Sequence, residues 1–227
     1  MPSAARQAKL DLRMRILTLL IALLGMAALA QDPSKVEIEN QWVRVVRTKL
    51  GPRAKITMPQ HPAEVVIRLT DFRQRIIYAD GVVRELRGKT GDVGYLDAAP
   101  QAHAEENLLD IPVEMLFIEL KSGPSGTPPV TLDPVRLDPR HVSVALENER
   151  VRVLRTIMEP HLKGPLHEHP HYVVVYLNET HRSMKLADGT TVNYQRKAGE
   201  AAWRDALKHA TENLDDHTAA ELQVEIK

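Results

Sequence analysis

The chain contains no cysteine. Disulfides, thiolate metal ligands and a cysteine-linked lipid anchor are therefore excluded. Aromatic residues are scarce, at 4% of the 227 positions, so valine, leucine and isoleucine must fill most of a core. There is no excess of either charge sign: the formal charge is zero at pH 7. Nothing resembles the basic stripe that a nucleic-acid surface wants, so no nucleic-acid partner is expected. No apolar run reaches the roughly 20 residues of a membrane-spanning helix. No convincing amphipathic helix follows residue 30. What remains, 43% hydrophobic and 26% charged, is an ordinary globular composition.

The N-terminus reads as an export signal. Arg13 and Arg15 precede the apolar run from Ile16 to Leu24, and Ala28 and Ala30 supply small residues before Gln31. A basic stretch, a short apolar stretch and an A-x-A-like end are the parts of a cleaved signal peptide. Met14 is an alternative start, because the signal is complete without the first 13 residues. Without residues 1–30 the chain keeps 26 bases against 29 acids. A periplasmic or secreted protein with no membrane span after signal removal is expected.

The sequence then repeats itself. Glu39-Asn40-Gln41-Trp42-Val43-Arg44-Val45-Val46-Arg47-Thr48 matches Glu147 to Thr156 at seven of ten positions, 108 residues on. His103-Ala104-Glu105-Glu106-Asn107-Leu108 matches His209 to Leu214, 106 residues on. Phe117-Ile118-Glu119-Leu120-Lys121 matches Gln223 to Lys227. Three blocks in one order mark a duplication. Between the halves, residues 122–129 are rich in Gly, Ser and Pro, which reads as a connector. The expected organisation is a signal over 1–30, a first unit over 31–121, a connector over 122–140 and a second unit over 141–227.

Both units read as β. Val65-Val66-Ile67 and Val173-Val174-Val175-Tyr176 are short β-branched runs. Asp80-Gly81 and Asp188-Gly189 mark hairpin turns, with type I′ geometry expected. Many short strands at close spacing predict a small barrel or sandwich in each half.

The chemistry concentrates in Gly164-Pro165-Leu166-His167-Glu168-His169-Pro170-His171. Residues two apart in a strand share a face, so His167 and His169 point the same way and Glu168 points oppositely, into solvent. His171 joins them as an additional ligand only if the strand continues past Pro170. Two imidazoles need at least one more ligand for a stable divalent site, and His209 is a candidate. The first unit offers less: His61 and His103 match His169 and His209, Pro59 falls opposite His167, and Glu64 lies close by.

These residues resemble the two motifs of the cupin superfamily: Gly164…His167-x-His169, a hairpin at Asp188-Gly189, then Gly199…His209-x-x-x-Asn213. The resemblance covers nearly all of residues 36–227. It implies an all-β fold of two tandem jelly-roll barrels, the first a degenerate copy. It also implies that His167, His169 and His209 take three metal-ligand positions. The glutamate of the family pattern is missing, since Val173 and Val174 stand in its place. A divalent metal (Fe, Mn, Zn or Ni) with a small-molecule ligand or substrate is the expectation, with homodimerisation also in prospect. Activity as a metal-dependent oxygenase, isomerase or lyase is one reading. The alternative is a non-catalytic protein that binds or senses a small ligand such as a sugar.

Export gives the first testable outcome. N-terminal sequencing of the native protein should begin at or near Gln31; a protein that retains Met1 or Met14 contradicts it.

Overall fold

The computed structural model describes residues 34–121 and 130–227. The expected signal peptide, residues 1–30, lies outside the described residues. The first half runs β1 (Ser34–Glu39), β2 (Val43–Leu50), β3 (Lys55–Met58), β4 (Glu64–Arg68), β5 (Phe72–Ile77), β6 (Val83–Gly88), β7 (Val93–Leu96), β8 (His103–Asn107) and β9 (Val113–Leu120). They form a five-stranded sheet, β1-β2-β9-β4-β7, and a four-stranded sheet, β3-β8-β5-β6.

The second half opens with a four-residue helix, α1 (Pro134–Leu137). It continues with β10 (Val142–Glu147), β11 (Val151–Met158), β12 (His167–His169), β13 (Tyr172–Tyr176), β14 (Thr180–Leu186), β15 (Thr191–Arg196), β16 (Ala201–Arg204), β17 (Leu207–Asn213) and β18 (Ala219–Ile226). Its sheets, β10-β11-β18-β13-β16 and β12-β17-β14-β15, repeat the first half strand for strand. All paired strands are antiparallel, and the bulge between Val36 and Ile38 recurs between Val144 and Leu146.

The central strands bury both faces because they have two different cores to serve. In β2, Val43 and Val45 point one way, and Val46 and Leu50 point the other. The first pair joins a layer that also takes Val65 and Ile67 of the first half and Val153, Val173, Val175 and Leu222 of the second. The second pair lines the first barrel's own interior with Val66, Met115 and Phe117. The two five-stranded sheets thus share one apolar layer, and residues 34–227 form a single compact unit.

Polar clamps close the same seam in reciprocal fashion. Arg47 donates to the carbonyl of Gly199 at 2.6 Å, and Arg155, 108 residues on, donates to that of Gly91 at 2.6 Å. Both glycines have positive φ, +85° at Gly91 and +80° at Gly199, a conformation that residues with a Cβ adopt at a cost. Asn40 and Asn148 each accept from two following backbone N–H groups, so their recurrence is structural.

Two sequence expectations change. The hairpin turns are not type I′, because Asp80 and Asp188 lack the positive φ it requires. Tyr78 N donates to Val82 O and Gly81 N to Tyr78 O, with the same pattern at Leu186. Only the glycine is left-handed, as in a three-residue loop with a bulge. The second change concerns residues 130–140, read as connector. Thr131 and Leu132 donate backbone N–H groups to Glu168 of β12, and Asp133 caps α1 through Val135 N. Among the described residues no helix is long and apolar enough to cross a membrane.

The shared layer makes a cooperative prediction. Val45→Asp places an unpaired charge among fully buried residues and should cost about 3 kcal/mol or more. Calorimetry should show one transition at a lowered midpoint, with both halves lost together. A second half that melts separately at the wild-type midpoint contradicts a shared core.

Candidate metal centre

The site begins with a three-residue strand. Along β12 burial alternates: His167 and His169 are buried and Glu168 is half-buried on the opposite face. Directly opposed residues of an antiparallel pair put their side chains side by side. The register sets His209 of β17 opposite His167, so a residue 42 positions away in sequence joins the pair. Ring centroids lie 4.9 Å apart for His167 and His169, 4.5 Å for His167 and His209, and 5.5 Å for His169 and His209. One ligand nitrogen from each lies within 4.8 Å of the others.

The rings are oriented from behind. His167 Nδ1 lies 2.9 Å from Pro165 O. A carbonyl only accepts, so Nδ1 carries the proton and Nε2 keeps its lone pair. His169 Nδ1 lies 2.7 Å from Glu225 Oε1 on β18, which leaves its Nε2 bare. A carboxylate or carbonyl behind a ligating imidazole fixes both tautomer and ring direction. His169 Nε2 and His209 Nδ1 are buried without a hydrogen-bond partner. Buried ring nitrogens are normally satisfied, so two orphans in one cluster fit a group that accepts lone pairs. The residues present therefore suit a divalent ion.

Electrostatics keeps the nitrogens neutral. Burial pushes His167 down, and it pushes His169 well down with help from His167. His209 falls to about 2, through burial first and then the nearby His167 and His169. Neutral imidazole is the ligating form. Burial raises Glu225 to about 7, against the pull of Arg152, whose Nη1 is 3.8 Å from Glu225 Oε2. Arg152 also reaches Asp133, the cap of α1, at 3.1 Å.

The structure sorts the remaining sequence candidates. His171 does not join the cluster. β12 ends at His169 and β13 starts at Tyr172, and the intervening Pro170 breaks the alternation. The His171 ring instead stacks on Trp42 at 4.3 Å and Trp203 at 5.7 Å. Glu168 is not simply solvated. It accepts from Thr131 and Leu132, which hold its pKa down at about 2, and so fastens the segment before α1. Val174 faces the barrel interior beside Tyr172 and Tyr176, while Val173 enters the shared layer, so the interior has no carboxylate at that place. Glu225 escaped sequence reasoning. The available signal was a glutamate kept in both copies of an otherwise apolar terminal strand, as Glu119 and Glu225.

The first half brings less together. Met58, not Pro59, pairs with His103 as His167 pairs with His209, so a thioether stands where the second half has its first imidazole. Glu64 Oε1 lies 3.3 Å from His61 Nδ1 but makes no hydrogen bond. Among the described residues, His61, Glu64, His103 and Glu105 do not form a metal-competent group.

No protein-family model matches the chain, and no curated protein sequence matches it. Solved structures do. AerE from Microcystis aeruginosa is similar over 88% of this chain and 95% of its own, at 12% identity and a TM-score of 0.65. A cupin 2 conserved barrel domain protein from Leptotrichia buccalis is similar over 91% of this chain and 94% of its own, at 12% identity and 0.55. Bacillus subtilis oxalate decarboxylase, described with Mn(II) centres, is similar over 85% of this chain and 74% of its own, at 15% identity and 0.56.

The buried Glu64 gives a pH prediction. Burial, with Glu119 and Glu105 nearby, raises it from 4.5 to about 8. The folded protein keeps it neutral while the unfolded chain ionises it. Stability is therefore intact below about 4.5 and falls as pH rises toward about 8, by at most ~1.4 kcal/mol per unit. Glu64→Gln should shrink the difference in melting midpoint between pH 5 and pH 8. An unchanged difference contradicts this.

Proposed function

We propose that this chain, which has the cupin fold in two tandem copies, is an exported protein that holds a divalent metal ion with His167, His169 and His209. One observation carries the reading: three buried imidazoles from two paired strands converge, and two of their nitrogens have no protein partner. Three neutral ligands leave coordination positions open to water or a small molecule. A metal bound there would act as a Lewis acid or would lower the pKa of a bound water. The protein's part is to keep the imidazoles neutral and to aim them through Pro165 and Glu225. The donor set is all nitrogen and suits several first-row ions. The Mn(II) of the Bacillus neighbour supports a divalent ion here without selecting one. Export rests on the Arg13 to Ala30 pattern.

A second reading, a small-ligand binding protein without turnover, draws on the space available. The cavity beside His167 measures about 20 Å³, room for one water. It is bounded by Gly164, Pro165, Glu221 and Gln223, and by Pro134 of α1. A substrate bound at the metal would need α1 or the 164–165 turn to move.

Elemental analysis of untagged protein purified from the cell envelope tests the centre. Wild type should carry close to one divalent ion per chain. His167→Ala with His209→Ala should remove it while circular dichroism stays that of a β protein. Glu225→Gln should weaken metal affinity about tenfold, the usual scale for an orienting group. Full metal retention in the double variant overturns the proposal.

A further inference from the structure

The two barrels differ most in how much room they leave. The first opens into a cavity of about 550 Å³ lined by His61, Tyr78, Asp80, Arg84, Asp97 and His103, among others. That is the size of an ordinary small-molecule site. The cavity beside His167 in the second barrel holds about 20 Å³. The cause is visible in the strands. Three imidazoles and the rings of Tyr172 and Tyr176 crowd the second interior. In the first half, Met58 stands in for an imidazole and packs into the apolar interior, and Glu64 stands on β4 where β13 has Tyr172. Glu64 pairs with Glu119, as Tyr172 pairs with Glu225.

The lining is polar in both senses. His103 is 7% exposed, and its Nδ1 has no hydrogen-bond partner. Tyr78, 5.8 Å from the His103 ring, brings a phenol that donates or accepts. Just behind His61 lies Glu64, whose Oε1 is also unpartnered. Raised to about 8, it is mostly protonated at neutral pH and adds a hydroxyl rather than a charge.

Charge argues against either kind of ion. The walls carry Asp80 and Asp97 against a single Arg84, and Glu105 lies 3.6 Å behind His103. An anion would meet these carboxylates. A cation would meet Arg84, whose guanidinium already sits 5.6 Å from the centre of the Tyr78 ring. Groups that only accept stand beside groups that only donate, and a hydroxyl serves both.

We propose that the mouth of the first barrel binds a small neutral polyhydroxylated molecule, without a metal. The site is independent of the metal centre in the second barrel, so either can fail without the other.

Titration calorimetry on the full chain tests this with four probes: D-glucose and myo-inositol as neutral polyols, gluconate as an anion and glucosamine as a cation. At least one neutral polyol should bind, and at least about tenfold more tightly than either ion. Ala98→Trp, a substitution at an exposed position on the cavity wall, should weaken that binding at least about tenfold, and His103→Ala should do the same. Thermal melting of each variant verifies the fold. His167→Ala with His209→Ala should leave polyol binding unchanged. The proposal is overturned if neither neutral probe binds or if gluconate or glucosamine binds as tightly. It is equally overturned if Ala98→Trp changes nothing, or if loss of the second-half histidines abolishes binding.

Discussion

The apolar layer between the two five-stranded sheets is the constraint on which the rest is built. Val45, Ile67, Val153 and Leu222 are each fully buried there, with residues from both halves around them. The layer holds the backs of the sheets whose inner faces carry Glu64, Glu119, Tyr172 and Glu225. A close-packed interior resists displacement, so the inner faces are held as firmly as the layer behind them. The second wall of each site is a four-stranded sheet whose far edges, β6 and β15, are mainly exposed. Each candidate site therefore lies between a wall fixed by the partner half and a wall that faces water.

Much of this architecture was legible in the sequence because the chain carries its own control. Seven identities between residues 39–48 and 147–156 locate equivalent strands, and period-two alternation tells which side chains share a face. That was enough for the jelly-roll halves and for the pairing of His167 with His169. Other features depend on a single residue's offset or on backbone sign. Matching by a constant shift of 108 put Pro59 opposite His167. The strand register puts Met58 there, because the His103 block repeats with a shift of 106. The turn type at Asp80-Gly81 turned on the φ of one aspartate, which a dipeptide does not encode.

The candidate site divides in the same way. The three imidazoles were named from motif and spacing, and their convergence needs only the His167–His209 register. What orients them was not readable. Glu225 sits on the last strand, 56 residues from His169, and reaches it by packing across the barrel interior. His171 shows the opposite failure: its spacing extends the pattern, but Pro170 turns the chain and the ring finds Trp42 instead. Local spacing specifies neighbours along a strand, whereas the groups behind a ligand come from wherever the fold closes.

The reciprocal contacts of Arg47 with Gly199 and of Arg155 with Gly91 carry a consequence of their own. They are the two halves of an isologous contact, of the kind a symmetric pair of identical subunits makes. In such a pair one gene position sets a residue in both subunits, so a change that alters one pocket alters its twin. Here the two copies lie on a single polypeptide and each is encoded separately. Position 58 can be methionine while position 167 is histidine, and the seam that joins the barrels is undisturbed by the difference. Fusion makes the two cavities heritable as independent traits, one crowded with imidazoles and the other open.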